Sequence, residues 1–183
     1  TETARLAHYV LPAASQFEKL EATGFSLEFP ENYFHLRNPI AQPMGEALPE
    51  PEIYTRLLER MGVIPGRFPV LTAVAGSEPD MTGHLGYMAA LGLTLSKNRN
   101  WAPYGASIMY RTLGSALPLA AAAPLLPIAM GYAKEHAVAV RRAGHRGTSL
   151  TLGSNLFRAI LEGESGTVLS EHEHSEMWSL LKT

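Results

Sequence analysis

The side chains best suited to hold a metal ion lie near the end of the chain, in the run Ser170-Glu-His-Glu-His-Ser-Glu176. Histidine and carboxylate groups are ligands that Zn²⁺ and other divalent ions accept. His172 and His174 are two residues apart, so their rings converge on one ion in a strand and diverge on a helix. We therefore expect a solvated helix start here, with a metal site as the alternative.

Two other clusters could bind anions. The segment Thr148-Ser-Leu-Thr-Leu-Gly-Ser154 places hydroxyls and a glycine near a predicted helix start, where backbone N–H groups can receive an anion. A basic patch precedes it, and its cations also suit the C-terminal end of a helix; it consists of Arg141, Arg142, His145 and Arg146. The chain contains no nucleophile elbow, phosphate-loop pattern or His-Glu-x-x-His motif, so motifs alone assign no reaction.

Composition limits the classes of function that remain. The 183 residues include no cysteine, which excludes disulfides and thiolate chemistry within this chain. Fifteen Lys and Arg residues against seventeen Asp and Glu give a formal net charge of -2, so the basic footprint of a nucleic-acid-binding protein is absent. The N-terminal residues do not resemble a secretory signal, and we expect a cytoplasmic location.

The most apolar stretch, residues 115–133, is long enough to cross a bilayer by a simple count. Pro118, Pro124 and Pro127 interrupt it, and each proline removes a backbone hydrogen-bond donor. We therefore predict a buried helix that begins near Pro127 and no membrane span.

Near the N-terminus, Tyr9-Val-Leu11 is typical of the end of a buried strand, which Pro12 stops. Side chains that follow such a strand lie at the carboxyl edge of a sheet, where α/β proteins bind ligands. This placement draws attention to Lys19. Residues 21–50 lack helical periodicity and are predicted to be an extended connector.

The clearest predicted helix runs to Met61. Pro51 suits the first turn, Glu50 and Glu52 favour its positive end, and Gly62 terminates it. Its apolar stripe is formed by Ile53, Leu57, Leu58 and Met61, which leaves Glu59 and Arg60 facing water.

The rest of the chain is predicted to be mainly helical. Residues 68–74 could be a strand or a helix start, and 167–170 form a short strand candidate. Further helices are predicted at 81–95, with Asp80 as N-cap and close packing at Gly83, Gly86 and Gly92; at 107–113, 127–143 and 150–161; and through Met177, Trp178 and Leu181. Gly144 and Gly163 are predicted C-terminal caps. The expected fold class is a predominantly helical α/β fragment with a few short strands.

The segment Thr1-Glu-Thr-Ala-Arg-Leu-Ala-His-Tyr-Val-Leu-Pro-Ala-Ala-Ser-Gln-Phe-Glu-Lys19 resembles part of the molybdopterin oxidoreductases of the dimethyl sulfoxide reductase-like class. Residues 29–37 and 45–54 resemble the connecting segment and helix start of a formate dehydrogenase-like branch, and the resemblance covers residues 1–62. Weaker matches follow at 111–114, 140–144 and 156–166.

The resemblance implies that the chain is an internal piece of a larger enzyme. Residues 1–62 would end an α/β dinucleotide-binding domain, and 63–183 would be a helix-rich continuation that leads toward a missing C-terminal β-barrel. The parent would carry bis-molybdopterin guanine dinucleotide with molybdenum or tungsten, and a 4Fe-4S cluster bound upstream. It would move two electrons to or from a small substrate, and the piece alone would be inactive.

The resemblance also implies two site residues and a set of partners. Lys19 matches a lysine that approaches the pterin dinucleotide, and Glu50 matches an acidic position at its guanine end. The partners would be the remaining domains of the parent and a small-molecule substrate, and the piece alone could self-associate. The alternative hypothesis is a non-catalytic, helix-rich interaction module that docks through residues 115–133.

Overall fold

The computed structural model describes residues 2–23, 32–77, 84–163 and 167–170. In this part of the chain, helices predominate and strands are few and short, as expected. The helices are α1 (Glu2–Leu6), α2 (Glu50–Arg60), α3 (Pro69–Gly76), α4 (Leu85–Lys97), α5 (Gly105–Arg111), α6 (Leu125–Glu135), α7 (Ala137–Arg142) and α8 (Leu152–Glu162), with 3-10 turns at Arg99–Tyr104, Leu113–Ala116 and Ala120–Ala122.

Three strands form one antiparallel sheet in the order β1 (Glu21–Thr23), β2 (Asn32–Arg37) and β3 (Thr167–Ser170). Glu21 lies opposite Arg37 in the first pair, and the pairing with β3 shifts register between Asn32 and Tyr33. The strand predicted at 167–170 is confirmed. Residues 21–50 hold β1 and β2 as well as extended chain, so the prediction of a simple connector was incomplete.

The prediction of a buried strand at Tyr9–Leu11 was wrong. Tyr9 is 90% exposed, and Val10 and Leu11 are also exposed. A strand needs a neighbour to satisfy its backbone groups, and within the described ranges this region makes a single parallel bridge, from Ala13 to Leu48. An α/β dinucleotide-binding domain therefore stays a prediction.

Helix α2 has the predicted ends and an unexpected buried face. Pro49 precedes it without a side-chain cap, and Gly62, at φ +69°, follows its end. The N–H groups of Gly62 and Val63 donate to the carbonyls of Glu59 and Leu58, which is the Schellman arrangement. The predicted apolar stripe is partly exposed at Leu57 and Met61. Glu52 and Thr55 are the buried residues of this helix instead.

The remaining helices follow the predictions with shifted bounds. Of residues 68–74, Phe68 is the N-cap of α3 and the others lie in that helix, which begins at Pro69; α4 runs two residues past its predicted end. The helix predicted over 127–143 is two helices, because His136 adopts φ -117° and ψ 37° between α6 and α7. Gly144, at φ +97°, and Gly163 follow α7 and α8 as predicted. Asp80, Gly83 and the helix through Met177, Trp178 and Leu181 lie outside the described residues.

Helices α6 and α8 pack closely in the core. A Cβ atom on Gly153 would lie 2.6 Å from the Cα atom of Met130, so only glycine allows this approach. The close packing predicted at Gly86 and Gly92 is wrong, because a Cβ on either residue would meet nothing within 4 Å. Nearby, the hydroxyls of Tyr87 and Thr112 share a buried hydrogen bond of 2.7 Å.

The apolar stretch 115–133 is buried at some positions and exposed at others. Ala122, Ala123 and Leu126 are fully buried, whereas Ile128 is exposed. Among the described residues, no helix combines the length and apolarity needed to span a bilayer. The interaction-module hypothesis, which places a docking surface on residues 115–133, stays a prediction.

Candidate functional site

The structure brings together Lys19 and Glu50, the two predicted site residues. The Nζ atom of Lys19 lies 2.5 Å from Oε1 of Glu50, although the two residues are 31 positions apart. The Lys19 side chain is 18% exposed and that of Glu50 is 41% exposed. They therefore form a partly exposed ion pair at the N-terminal end of α2.

Backbone hydrogen bonds tie the loop that carries Lys19 to the segment that precedes Glu50. The N–H of Ala14 donates to Leu48 at 2.9 Å, and the N–H of Leu48 donates to Pro12 at 3.1 Å. The carbonyl of Phe17 accepts from the N–H groups of Ile40 and Ala41, at 2.9 and 3.0 Å. These bonds fix the two charged residues relative to each other.

Glu18 adds a further tie between the same segments. Its carboxylate accepts from the backbone N–H of Ser15 at 2.8 Å and from that of Met44 at 2.9 Å. These bonds, above all those with Ser15, lower the pKa of Glu18. The ionised Glu18 side chain thus connects the loop next to Lys19 to the backbone at Met44.

Two more charged residues extend the Lys19–Glu50 pair. Glu21 lies 3.7 Å from the Lys19 ammonium, and its other carboxylate oxygen contacts Arg37 across the β1–β2 pair. The four side chains, Glu50, Lys19, Glu21 and Arg37, alternate in sign and sum to zero charge. Glu21 and Arg37 were not predicted site residues, because only the pairing of β1 with β2 reveals that they are neighbours.

The electrostatics of the pair favour an ionised Glu50. The hydrogen bond from Lys19 lowers the pKa of this carboxyl group, more than burial raises it. An ionised carboxylate accepts up to about four hydrogen bonds, so Glu50 can bind further N–H donors while Lys19 holds Oε1. Lys19, with three N–H donors, can contact an anion in the same way.

A second charged cluster joins α2 to α5. Arg111 binds Glu59 with two hydrogen bonds, from Nε at 2.6 Å and from Nη2 at 3.0 Å, and donates from Nη1 to Glu52 at 2.7 Å. The other oxygen of Glu52 accepts from Nε of Arg56 at 2.6 Å. Glu59 was predicted to face water, and that prediction was wrong because Arg111 covers it.

Burial and neighbouring charges shift the pKa values in this cluster. Burial alone would raise the pKa of Glu52, but the hydrogen bonds from Arg56 and Arg111 outweigh it and lower the pKa. Burial and the Glu52 charge raise the pKa of Tyr110 to about 12. The cluster is therefore a set of charge-assisted contacts between helices. One feature of the sequence points to this cluster. Glu52 and Glu59 are seven residues apart, which places both on one face of α2.

Of the other candidate clusters, the hydroxyl segment and the basic patch have local structural explanations, and most of the histidine cluster lies outside the described residues. Thr148 and Thr151 form reciprocal hydrogen bonds in the turn before α8. The Thr151 hydroxyl accepts from the backbone N–H of Thr148 at 3.0 Å, and the Thr148 hydroxyl accepts from the backbone N–H of Thr151 at 3.2 Å. Arg141 and Arg142 lie in the last turn of α7. His172 and His174 lie outside the described residues, within which no group of three potential metal ligands occurs.

No protein-family model, curated protein or solved structure matches this chain. A functional proposal therefore rests on the chain's own residues and on the resemblance over residues 1–62.

Proposed function

We propose that the chain belongs to a molybdopterin-dependent oxidoreductase, in which it supplies part of the cradle for the pterin guanine dinucleotide. The observation that supports this most is the contact between Lys19 and Glu50. The resemblance implies a cofactor role for both residues, and their proximity is compatible with contacts to one bound group. The bound group would supply the two-electron chemistry, while protein residues bind and orient it.

The donor set fits the implied cofactor. Guanine presents N–H donors at its N1 and N2 positions, and an ionised Glu50 is an acceptor for them. The Lys19 ammonium is a donor for an anionic part of a dinucleotide. Because Glu21 and Arg37 complete a neutral group with this pair, recognition would depend on directed hydrogen bonds more than on net charge.

The test uses the intact protein that contains this chain, purified without oxygen. Metal analysis and the guanosine monophosphate released by acid hydrolysis report the cofactor content. We expect both molybdenum or tungsten and guanosine monophosphate in the wild type. If both are absent, the proposed function is wrong.

A charge exchange separates a cofactor role from a purely structural ion pair. The double variant Lys19→Glu, Glu50→Lys keeps opposite charges at the two positions but reverses the groups offered to the cofactor. A carboxylate at position 19 would lie beside Glu21, so we expect a modest fall in thermal stability with the variant still folded, and a large loss of released guanosine monophosphate. Glu162→Gln, an exposed change on α8, is the control. Unchanged nucleotide content in the double variant would contradict the assignment of these two residues.

A further inference from the structure

A cavity of about 460 Å³ opens beside the first turn of α3. This volume lies in the range of small-molecule sites, about 300–1,000 Å³. Its lining includes two guanidinium groups and no carboxylate; the lining residues are Gly66, Arg67, Phe68, Pro69, Thr72, Ala73 and Arg111. The chemistry of this lining is therefore that of a site for a negatively charged molecule.

Arg111 presents donors that its protein partners do not use. A guanidinium group has five N–H donors. Glu59 accepts one hydrogen bond from Nε and one from Nη2, and Glu52 accepts one from Nη1. Two N–H donors remain on a side chain that these carboxylates hold in place. The same contacts raise the pKa of Arg111, so it is charged at any working pH.

Arg67 gives the cavity its net charge, because the charge of Arg111 is balanced by neighbouring carboxylates. The charges of Arg111 and Arg56 are balanced by Glu52 and Glu59, so that cluster is neutral overall. Arg67 is exposed and makes no ion pair with any residue in the described part of the chain. The wall of the cavity therefore carries a net positive charge.

The rest of the lining is mainly apolar. Phe68 is buried, and the Trp101 ring meets it edge to face with the ring centroids 5.8 Å apart. Pro69 and Ala73 continue this surface, and the Thr72 hydroxyl adds one polar group. Such a surface suits a small apolar body attached to a charged head group.

We propose that this cavity binds a small organic anion, with a carboxylate or phosphate head group contacted by Arg67 and Arg111 and an apolar body lying against Pro69 and Ala73. Guanidinium groups match both kinds of oxyanion, because their N–H donors can bind two oxygens at once. The site is independent of Lys19 and Glu50, none of whose atoms line it.

The experiment is isothermal titration of the purified 183-residue chain at constant ionic strength. Benzoate and phenyl phosphate carry the two head groups on the same ring, and benzyl alcohol is the neutral counterpart. We expect saturable binding of at least one anion and none of the alcohol. In Arg67→Gln the affinity should fall about tenfold or more, as expected for a lost charge-assisted contact. Arg141→Gln, an exposed arginine outside the cavity, should bind like the wild type.

Each outcome decides the proposal. Binding of only one anion supports it and identifies the head group. Absence of saturable binding by both anions overturns it, as does equal binding of benzyl alcohol. Equal affinity in the wild type and Arg67→Gln, with circular dichroism showing both folded, also overturns it.

Discussion

Charged side chains on α2 connect this helix to two different parts of the molecule. Glu50 holds the loop at Lys19, while Glu52 and Glu59 hold Arg111 on α5. The first contact is partly exposed, and such pairs contribute about 0.2–1 kcal/mol. The second is more deeply buried, with Glu52 only 12% exposed, so the loss of one partner there costs more.

The carboxylate of Glu52 should make stability depend on pH. Its pKa in the folded state lies below the ordinary value of 4.5, so in acid the unfolded chain binds the proton first. The stabilising effect is therefore complete above pH 4.5 and is lost as the pH falls through the folded-state pKa. We expect Glu52→Gln to lower the free energy of unfolding at pH 7 by about 1–2 kcal/mol. The difference from the wild type should shrink in acid, as measured by urea denaturation at a series of pH values.

Glu162→Gln is the matched control, because Glu162 is exposed and forms no ion pair within the described ranges. Its pH profile should follow that of the wild type. A constant difference between Glu52→Gln and the wild type at every pH would contradict the role given to the Glu52 charge.

Two members of one charged cluster were predicted, and none of the contacts in the other. Lys19 and Glu50 could be named because the resemblance assigns both positions, although their mutual contact depends on the fold. Arg111 could not be assigned to Glu52 and Glu59 from sequence, because the contact spans more than fifty residues. An acidic residue on a helix is usually solvated, and only the position of α5 makes these two exceptions.

At the scale of elements, local signals predicted more than distant ones. The glycine ends of α2 and α7 were predictable because a positive φ angle and the Schellman bonds involve neighbours in sequence. The absence of a strand at Tyr9–Leu11 was not predictable, because apolar composition does not show whether a pairing partner is present. The break at His136 had no signal either, since no proline or glycine stands there.

The packing of α6 on α8 provides a test at this scale. Gly153→Ala would place a methyl group 2.6 Å from the Met130 backbone, so we expect the free energy of unfolding to fall by about 1–3 kcal/mol. Gly92→Ala on α4 is the matched control, because its new Cβ would meet nothing within 4 Å. Alanine is favoured over glycine in a helix, so Gly92→Ala should raise stability by about 0.5–1 kcal/mol.

Chemical denaturation of the two alanine variants, analysed beside the wild type, gives both values. The change in the free energy of unfolding should be negative for Gly153→Ala and positive for Gly92→Ala. If Gly153→Ala is as stable as Gly92→Ala, the close approach of α6 and α8 does not hold in solution.

At the scale of the whole molecule, the least expected feature is an apolar surface near the N-terminus. Tyr9, Val10 and Leu11 are exposed beside a groove of about 160 Å³ between the N-terminal loop and α2. The groove is mainly apolar, with charged groups among its lining residues, which are Leu11, Pro12, Glu46, Leu48, Ile53, Arg56, Leu57 and Arg60. Exposed apolar side chains of this kind are available for contact with another molecule.

In a solution of the chain alone, the apolar surface available to cover this groove is that of a second copy. We therefore expect the mass measured by sedimentation equilibrium to rise above 19.9 kDa as the concentration increases. Leu11→Asp places a charge at the groove and should shift the mass toward that of the monomer, because association would remove a carboxylate from water, which is costly even beside Arg60. Leu93→Asp changes an equally exposed leucine on α4 that does not line the groove, and it should associate like the wild type. A mass that stays at 19.9 kDa at every concentration, or equal loss of association in both variants, would show that this surface does not mediate contact between copies.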